Sequence, residues 1–531
     1  MNYKRLSKIG LGALLSSLPL FAIDAQVGKE IINSKCTACH VGNLEDGLSR
    51  ISNQRKTPEG WFMTVKRMQR EHGLIITENE ESNVIKYLSD YQGLTPDEIK
   101  PYSYVLDKSP NIQENAKNEF LTEMCVRCHS EARIGLQRRT TDEWNNLVHF
   151  HVGQFATLEL QAKARDKDWI GVAEKDIVPY LAENFGIDKE KYEQYKKSIN
   201  NFDLPLDWII YGYSPKDGDF TANLNLKKVD NNIYSVNYKE EFNNKTFTAI
   251  GTAILYSANE LRISLKDENN KKYKQILHID PKNVSIDGRL FELLHPEIGS
   301  ILKGKAQNSK DVSLLGIYPS AIKAGTKEIL AIVGTNLSGE ITLSNNLKVL
   351  KTIKHTSNEI VLEVEASNLV NTKEENILIG NSVFEKSIVL YNNIDYLKIT
   401  PEYAVSRIGS EDEKIKKEYV QFEAIGFSNG PDKKQNTFDD IKLKKVPAIW
   451  NLEAYDKQAQ KDKDVIYSGS INRNNGLFTP SESGPNPIRK MMTNNTGNLN
   501  VIGIYKDGEK ELMGKSHMVV TVPKYINPPI N

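Results

Sequence analysis

Residues 121–130 read LTEMCVRCHS, and inside them stands Cys125-Val126-Arg127-Cys128-His129. The same pattern occurs earlier, as Cys36-Thr37-Ala38-Cys39-His40. All four cysteines of the 531-residue chain lie in these two pentapeptides. Two thiols separated by two residues on one turn lie along one edge of a haem and add to its vinyl groups, and the histidine that follows reaches the iron. A zinc site would use C-x-x-C twice, but the two pairs lie 89 residues apart and each carries its own histidine. A thioredoxin-like pair needs a βαβ setting, which neither motif has. The motifs therefore predict two covalent haem c groups, held by Cys36 and Cys39 and by Cys125 and Cys128, with His40 and His129 as iron ligands.

Working outward, each motif is followed by its own copy of a second pattern. Arg55-Lys-Thr-Pro-Glu-Gly-Trp61 aligns with Arg138-Arg-Thr-Thr-Asp-Glu-Trp144, and in the same register Met68 aligns with His151. Further on, Val84-Ile-Lys-Tyr87-Leu88 matches Ile177-Val-Pro-Tyr180-Leu181. The first third is thus two tandem helical units, cytochrome c-like in pattern, over 27–95 and 96–195. Pro179, where the first copy has Lys86, is expected to shorten or tilt the last helix of the second unit.

The repeat points to the sixth ligand of each iron. At about 100° per residue, positions i, i+4 and i+7 share a helix face. Trp61, Val65 and Met68 form one such face, and Trp144, Val148 and His151 the other, whereas His149 points away. The expected pairs are His40 with Met68 and His129 with His151. His72, one turn beyond Met68, is a rival for the first haem, and Met63 and Met124 are further rivals for their respective haems. Met68 also has a plain reading as core packing. Two six-coordinate irons favour electron transfer over oxygen chemistry, and the thioether-ligated centre should have the higher potential. Arg55, Arg138 and Arg139 are candidates for haem propionate pairing, against a solvated arginine beside a helix start. Trp61 and Trp144 are expected to pack on the macrocycles.

The rest of the chain changes period. Phe220–Leu226 and Tyr234–Tyr238 alternate around an Asp230–Asn232 turn, so 200–305 reads as an antiparallel β-barrel domain. Residues 312–394 and 395–526 read as two immunoglobulin-like β-sandwiches. The fold class is a multidomain chain, α first and then all-β. The 69 basic and 69 acidic residues cancel, which gives no footing for nucleic acid or a polybasic membrane patch. Lys4, Arg5 and Lys8 followed by an apolar run over 9–22 read as a signal peptide, 1–25, with an uncleaved anchor as the alternative. Export places the expected mature protein in the periplasm with no transmembrane segment. His278, His295, His355 and His517 are expected to be surface or satisfied core residues.

This order of parts resembles the α subunit of quinohemoprotein amine dehydrogenase. The most specific stretches are C-T-A-C-H, R-K-T-P-E-G-W-F-M-T-V-K-R-M, C-V-R-C-H and R-R-T-T-D-E-W, with GIYPSAIKAGTKEILAIVGTNLSG and FTPSESGPNP as weaker ones. The resemblance implies a heterotrimer with a β-propeller subunit and a small subunit that carries cysteine tryptophylquinone. It implies oxidation of primary amines, with electrons passing through the two haems to a soluble blue-copper protein or cytochrome c. The competing readings are a stand-alone dihaem carrier or peroxidase with β docking domains, and a surface-binding β protein fused to a cytochrome.

Overall fold

A computed structural model describes residues 23–114, 118–156, 158, 168–242, 245–369, 371–410 and 416–522. Most of the expected signal peptide and the last residues of the final domain lie outside them. At the edge, Asp24 caps the first helix, α1 (Ala25–Lys35), its carboxylate accepting from the Gln26 and Val27 amides.

The first unit continues with α2 (Pro58–His72) and α3 (Glu78–Tyr91). Thr57 caps α2 through Gly60 N–H, Pro58 stands at the tolerated first position, and Gly73 ends the helix in the left-handed region at φ 70°. Thr77 and Glu80 form the capping box of α3 that the sequence announces. Gly28 lets α1 lie directly on α3, since a Cβ there would stand 2.0 Å from the Asn83 carbonyl oxygen. The second unit repeats the plan with α4 (Thr141–Gln154), capped by Thr140, and α5 (Val178–Asn184), followed by α6 (Lys189–Ser198). Pro179 sits in the first turn of α5, directly after a π-helical turn over Ala173–Ile177.

The alignment of the two units has a physical counterpart. Short strands β1 (Gln54–Lys56) and β2 (Gln137–Arg139) pair antiparallel, with Arg55 opposite Arg138. Equivalent residues thus meet each other, as at a two-fold axis. This strand pair was not expected in a segment read as helical.

The next domain is a closed antiparallel barrel of eight strands, β3 (Asp207–Ser214), β4 (Gly218–Asp230), β5 (Ile233–Phe242), β6 (Lys245–Tyr256), β7 (Glu260–Asp267), β8 (Lys272–Asp280), β9 (Ser285–Glu292) and β10 (Gly299–Ala306). Closure by β10 on β3 leaves no open edge. Its interior is filled by side chains such as Trp208, Tyr238 and Leu277. Two further β domains follow. In the first, four-stranded sheets from Ser313–Tyr318 to Ser382–Tyr391 share one aliphatic core. In the last, sheets of three, four and three strands enclose Phe422, Trp450 and Phe478.

The haem-motif units rest on the barrel. Leu94, Ile99, Ala132 and Leu136 pack with Ile276 and Phe291, and Tyr256 joins the core of the first unit. The barrel is thus the floor that fixes both units.

Candidate haem-binding site

Both C-x-x-C-H motifs have the same turn. His40 N–H reaches the Cys36 carbonyl at 2.9 Å and His129 N–H the Cys125 carbonyl at 3.4 Å. In each, the first cysteine is half-buried and the second exposed. The helix face predicted from the repeat lies against them. Trp61 and Val65 are packed in one core with Cys36, and Trp144 and Val148 in another with Cys125. The two indoles are anchored alike: Trp61 Nε1–H donates to the Gln92 carbonyl at 3.1 Å and Trp144 Nε1–H to the Phe185 carbonyl at 3.3 Å. The same two carbonyls accept the Lys56 and Arg139 amides. The residues that end α3 and α5, Gln92 and Phe185, therefore hold both the strand and the tryptophan of their unit in place.

In the second unit His129 and His151 face each other with ring centroids 6.4 Å apart. Two imidazoles bonded at about 2 Å on opposite sides of one metal ion put their ring centres roughly 6 Å apart. His129 Nδ1 is bonded to the Ser130 carbonyl at 2.9 Å and His151 Nδ1 to the Leu147 carbonyl at 2.7 Å. An Nδ1–H donated in this way leaves Nε2 as the metal-binding nitrogen. Burial holds both imidazoles below the ordinary histidine range, which keeps the neutral, ligating form. Trp169 closes the side of the pair, its ring 5.8 Å from that of His151. His149 points elsewhere and meets Glu174 at 3.1 Å.

In the first unit His40 Nδ1 is bonded to the Ser49 carbonyl at 2.9 Å, again leaving Nε2. Met68 is half-buried on the Trp61–Val65 side of α2, while His72 stands exposed in the last turn. Met124 is buried in the core of the second unit, and its carbonyl accepts the Trp169 indole at 2.9 Å. Met63 is half-buried on α2.

The arginines have other partners than expected. Arg55 grips Glu98 with two hydrogen bonds of 2.9 and 2.6 Å, and Arg138 Nε reaches the same carboxylate at 3.1 Å. Arg55 also lies 4.2 Å over the Tyr192 ring. Burial alone would raise the Glu98 pKa, but the two guanidinium groups hold it below the usual carboxylate range. The Arg55–Glu98–Arg138 cluster is a clamp between the units rather than a propionate site. Glu98 was legible only as the end of a Thr95-x-x-Glu98 capping box, which it also forms. Arg139 is buried against Glu143 at 3.5 Å, with its guanidinium 5.6 Å over Trp144.

Elsewhere, His278 is buried between Glu260 and Asp107, each at 2.9 Å, as a satisfied core residue. His295 pairs with Glu297, His355 with the Leu337 carbonyl and His517 with Asn498. Among the described residues, no three or more His, Cys, Asp or Glu side chains are grouped to hold a metal ion, and no helix is long and apolar enough to cross a membrane. The residues present thus suit a haem: paired thiols, a histidine beside each, and an opposed imidazole in the second unit.

Comparison with known proteins agrees with this geometry. The haem-binding family model of the quinohemoprotein amine dehydrogenase alpha subunit matches residues 26–192. Models of domains II, III and IV of the same subunit match 201–307, 311–392 and 397–530. No curated protein sequence matches significantly. Among solved structures, a redesigned β-barrel is similar at 15% identity over 19% of this chain and 87% of its own, with a TM-score of 0.16. Drosophila N-cadherin EC1-3 is similar at 7% identity over 45% and 78%, with a TM-score of 0.21. The zebrafish RET cadherin-like domains are similar at 9% identity over 49% and 62%, with a TM-score of 0.18. Likeness at that level adds nothing to the assignment. Four matched domains in order, carried by the two haem motifs, settle it: the chain belongs to the family of quinohemoprotein amine dehydrogenase α subunits, with its haem-binding domain over residues 26–192.

Proposed function

We propose that this chain is the dihaem c electron-transfer subunit of a periplasmic quinohaemoprotein amine dehydrogenase. Cys36 and Cys39 bind one haem, with His40 and Met68 on its iron. Cys125 and Cys128 bind the other, with His129 and His151. When bound, the haems supply one-electron redox chemistry. The protein supplies two unlike ligand sets, and the bis-imidazole centre is the lower in potential. The four cysteines are all assigned to haem, so the quinone belongs to a partner. Amine oxidation falls to a small subunit bearing cysteine tryptophylquinone beside a β-propeller subunit, in a heterotrimer. The electrons leave to a soluble blue-copper protein or cytochrome c. The two C-terminal domains serve as immunoglobulin-like docking modules, and residues 1–25 direct export.

The observation that carries this reading is the facing pair His129 and His151, 6.4 Å apart, behind a repeated C-x-x-C-H. Purification of the exported complex tests it. Two covalent haems per chain, low-spin spectra and amine-dependent haem reduction that needs the quinone-bearing partner are expected. One covalent haem, or amine-dependent reduction by the isolated chain, would overturn it.

A further inference from the structure

Trp169 has no indole counterpart in the first unit. In the register that sets Val84–Leu88 against Ile177–Leu181, its equivalent is Ile76. The two residues stand in matching places. Ile76 packs against the core that holds Cys36, and Trp169 against the core that holds Cys125. Each also lies beside the helix of its unit's distal residue. The Ile76 carbonyl accepts the side-chain amide of Gln69, which follows Met68 on α2, at 3.3 Å. The Trp169 ring lies 5.8 Å from the His151 ring of α4, tilted by 41°. The copy with a methionine thus has an aliphatic neighbour there, and the copy with a histidine has an indole.

A thioether and an imidazole make different demands. Sulfur on the flexible methionine chain has no ring plane to orient, whereas an imidazole does. The Leu147 carbonyl, bonded to His151 Nδ1 at 2.7 Å, fixes one point of that ring from within α4. Trp169 supplies a second point from outside the helix, at a separation and tilt that aromatic pairs prefer. The indole is itself anchored. Its Nε1–H donates to the carbonyl of Met124, directly before Cys125, at 2.9 Å, and Asp168 caps its short helical turn through the Gly171 amide at 3.1 Å. One side chain therefore spans from the cysteine-bearing segment to the distal imidazole. We propose that Trp169 is the positioning residue of the second centre: it sets the plane of the His151 ring and holds that plane relative to the attachment segment at Cys125. This rests on the dihaem reading above. The planes of His129 and His151 meet at 38°, and a ring held there does not turn when the iron changes oxidation state, which suits electron transfer.

The test uses the holo protein and compares Trp169→Ile, which copies the first unit, with Trp169→Phe and with Thr140→Ala, which removes the cap of α4 and leaves the neighbours of His151 in place. Pyridine haemochrome first counts the covalent haems of the wild-type chain. Low-temperature EPR of the ferric protein then reads the largest g-value of the second centre, identified as the low-spin signal that His151→Met displaces; for two axial imidazoles this value reports the angle between their planes. Trp169→Ile should shift and broaden it, because the ring loses its outer stop. Trp169→Phe should lie between Trp169→Ile and the wild type, since it keeps an aromatic face but loses the bond to Met124. Thr140→Ala should leave the g-value in place while lowering unfolding stability. An unchanged g-value in Trp169→Ile overturns the proposal. An equal shift in Thr140→Ala also overturns it, because general loosening of α4 would then explain both. If Trp169→Ile takes up no haem, Trp169→Phe carries the test, and an unchanged g-value there overturns the proposal. Fewer than two covalent haems in the wild-type chain overturns the dihaem reading itself and is seen before any variant is compared.

Discussion

His151 shows how much one position decides. In the repeat it stands where the first unit has Met68, and the fold brings it opposite His129. On the proposed dihaem assignment, His151→Met should raise the potential of the second centre toward that of the first while leaving it low-spin, as read by redox titration and visible spectra. His149→Gln should change neither, because that side chain faces Glu174 at the surface. Glu98 is the residue the sequence did not advertise. It holds two buried arginines from different units, and Glu98→Gln would leave that pair of positive charges uncompensated. The expected loss is about 3–5 kcal/mol in denaturant unfolding, by analogy with the breaking of other buried ion pairs.

At the scale of elements, the helix that carries His151 is held at its N-terminal end. Thr140 caps α4, and Phe185 at the end of α5 fixes its tryptophan by a carbonyl bond. Thr140→Ala should cost about 1 kcal/mol in unfolding free energy, the usual worth of an N-cap. Trp144→Ala should cost about 3–5 kcal/mol, as for other fully buried aromatic side chains. Caps of this kind were legible: Thr77-x-x-Glu80 was read as a capping box and is one. The i, i+4, i+7 face was legible too, because helical period is a local property of a chain. The pairing of β1 with β2 was not, since two three-residue strands far apart in sequence show no period at all.

At the scale of the molecule, the haem-motif units are locked to the barrel by a buried polar chain. Glu59 on α2 pairs with Arg262 at 2.6 Å, Arg262 with Glu260, Glu260 with His278, and His278 with Asp107 of the second unit's leading segment. Burial alone would lower the His278 pKa, but the Glu260 and Asp107 carboxylates push it up to about 10. The unfolded value is about 6.5. A raised folded pKa means that the contribution is complete below about pH 6.5 and is lost as pH rises toward 10. Stability measured by urea unfolding should therefore fall across that window in the wild type. His278→Gln should be less stable at pH 6 and should lose much of this pH dependence. No sequence pattern marks Asp107, Glu260 and His278 as partners.

The sequence by itself determined the haem-binding motifs, the duplication and the switch from helix to strand, since each rests on spacing within a few residues or on a period repeated along the chain. It also placed Met68 and His151 in register. Only the tertiary structure decided which cations meet which anions. The candidate propionate arginines Arg55 and Arg138 turned out to hold Glu98. Charge pairing depends on distances across the near two-fold seam, and those are set by packing of the two units on the barrel floor, which no local stretch of chain encodes.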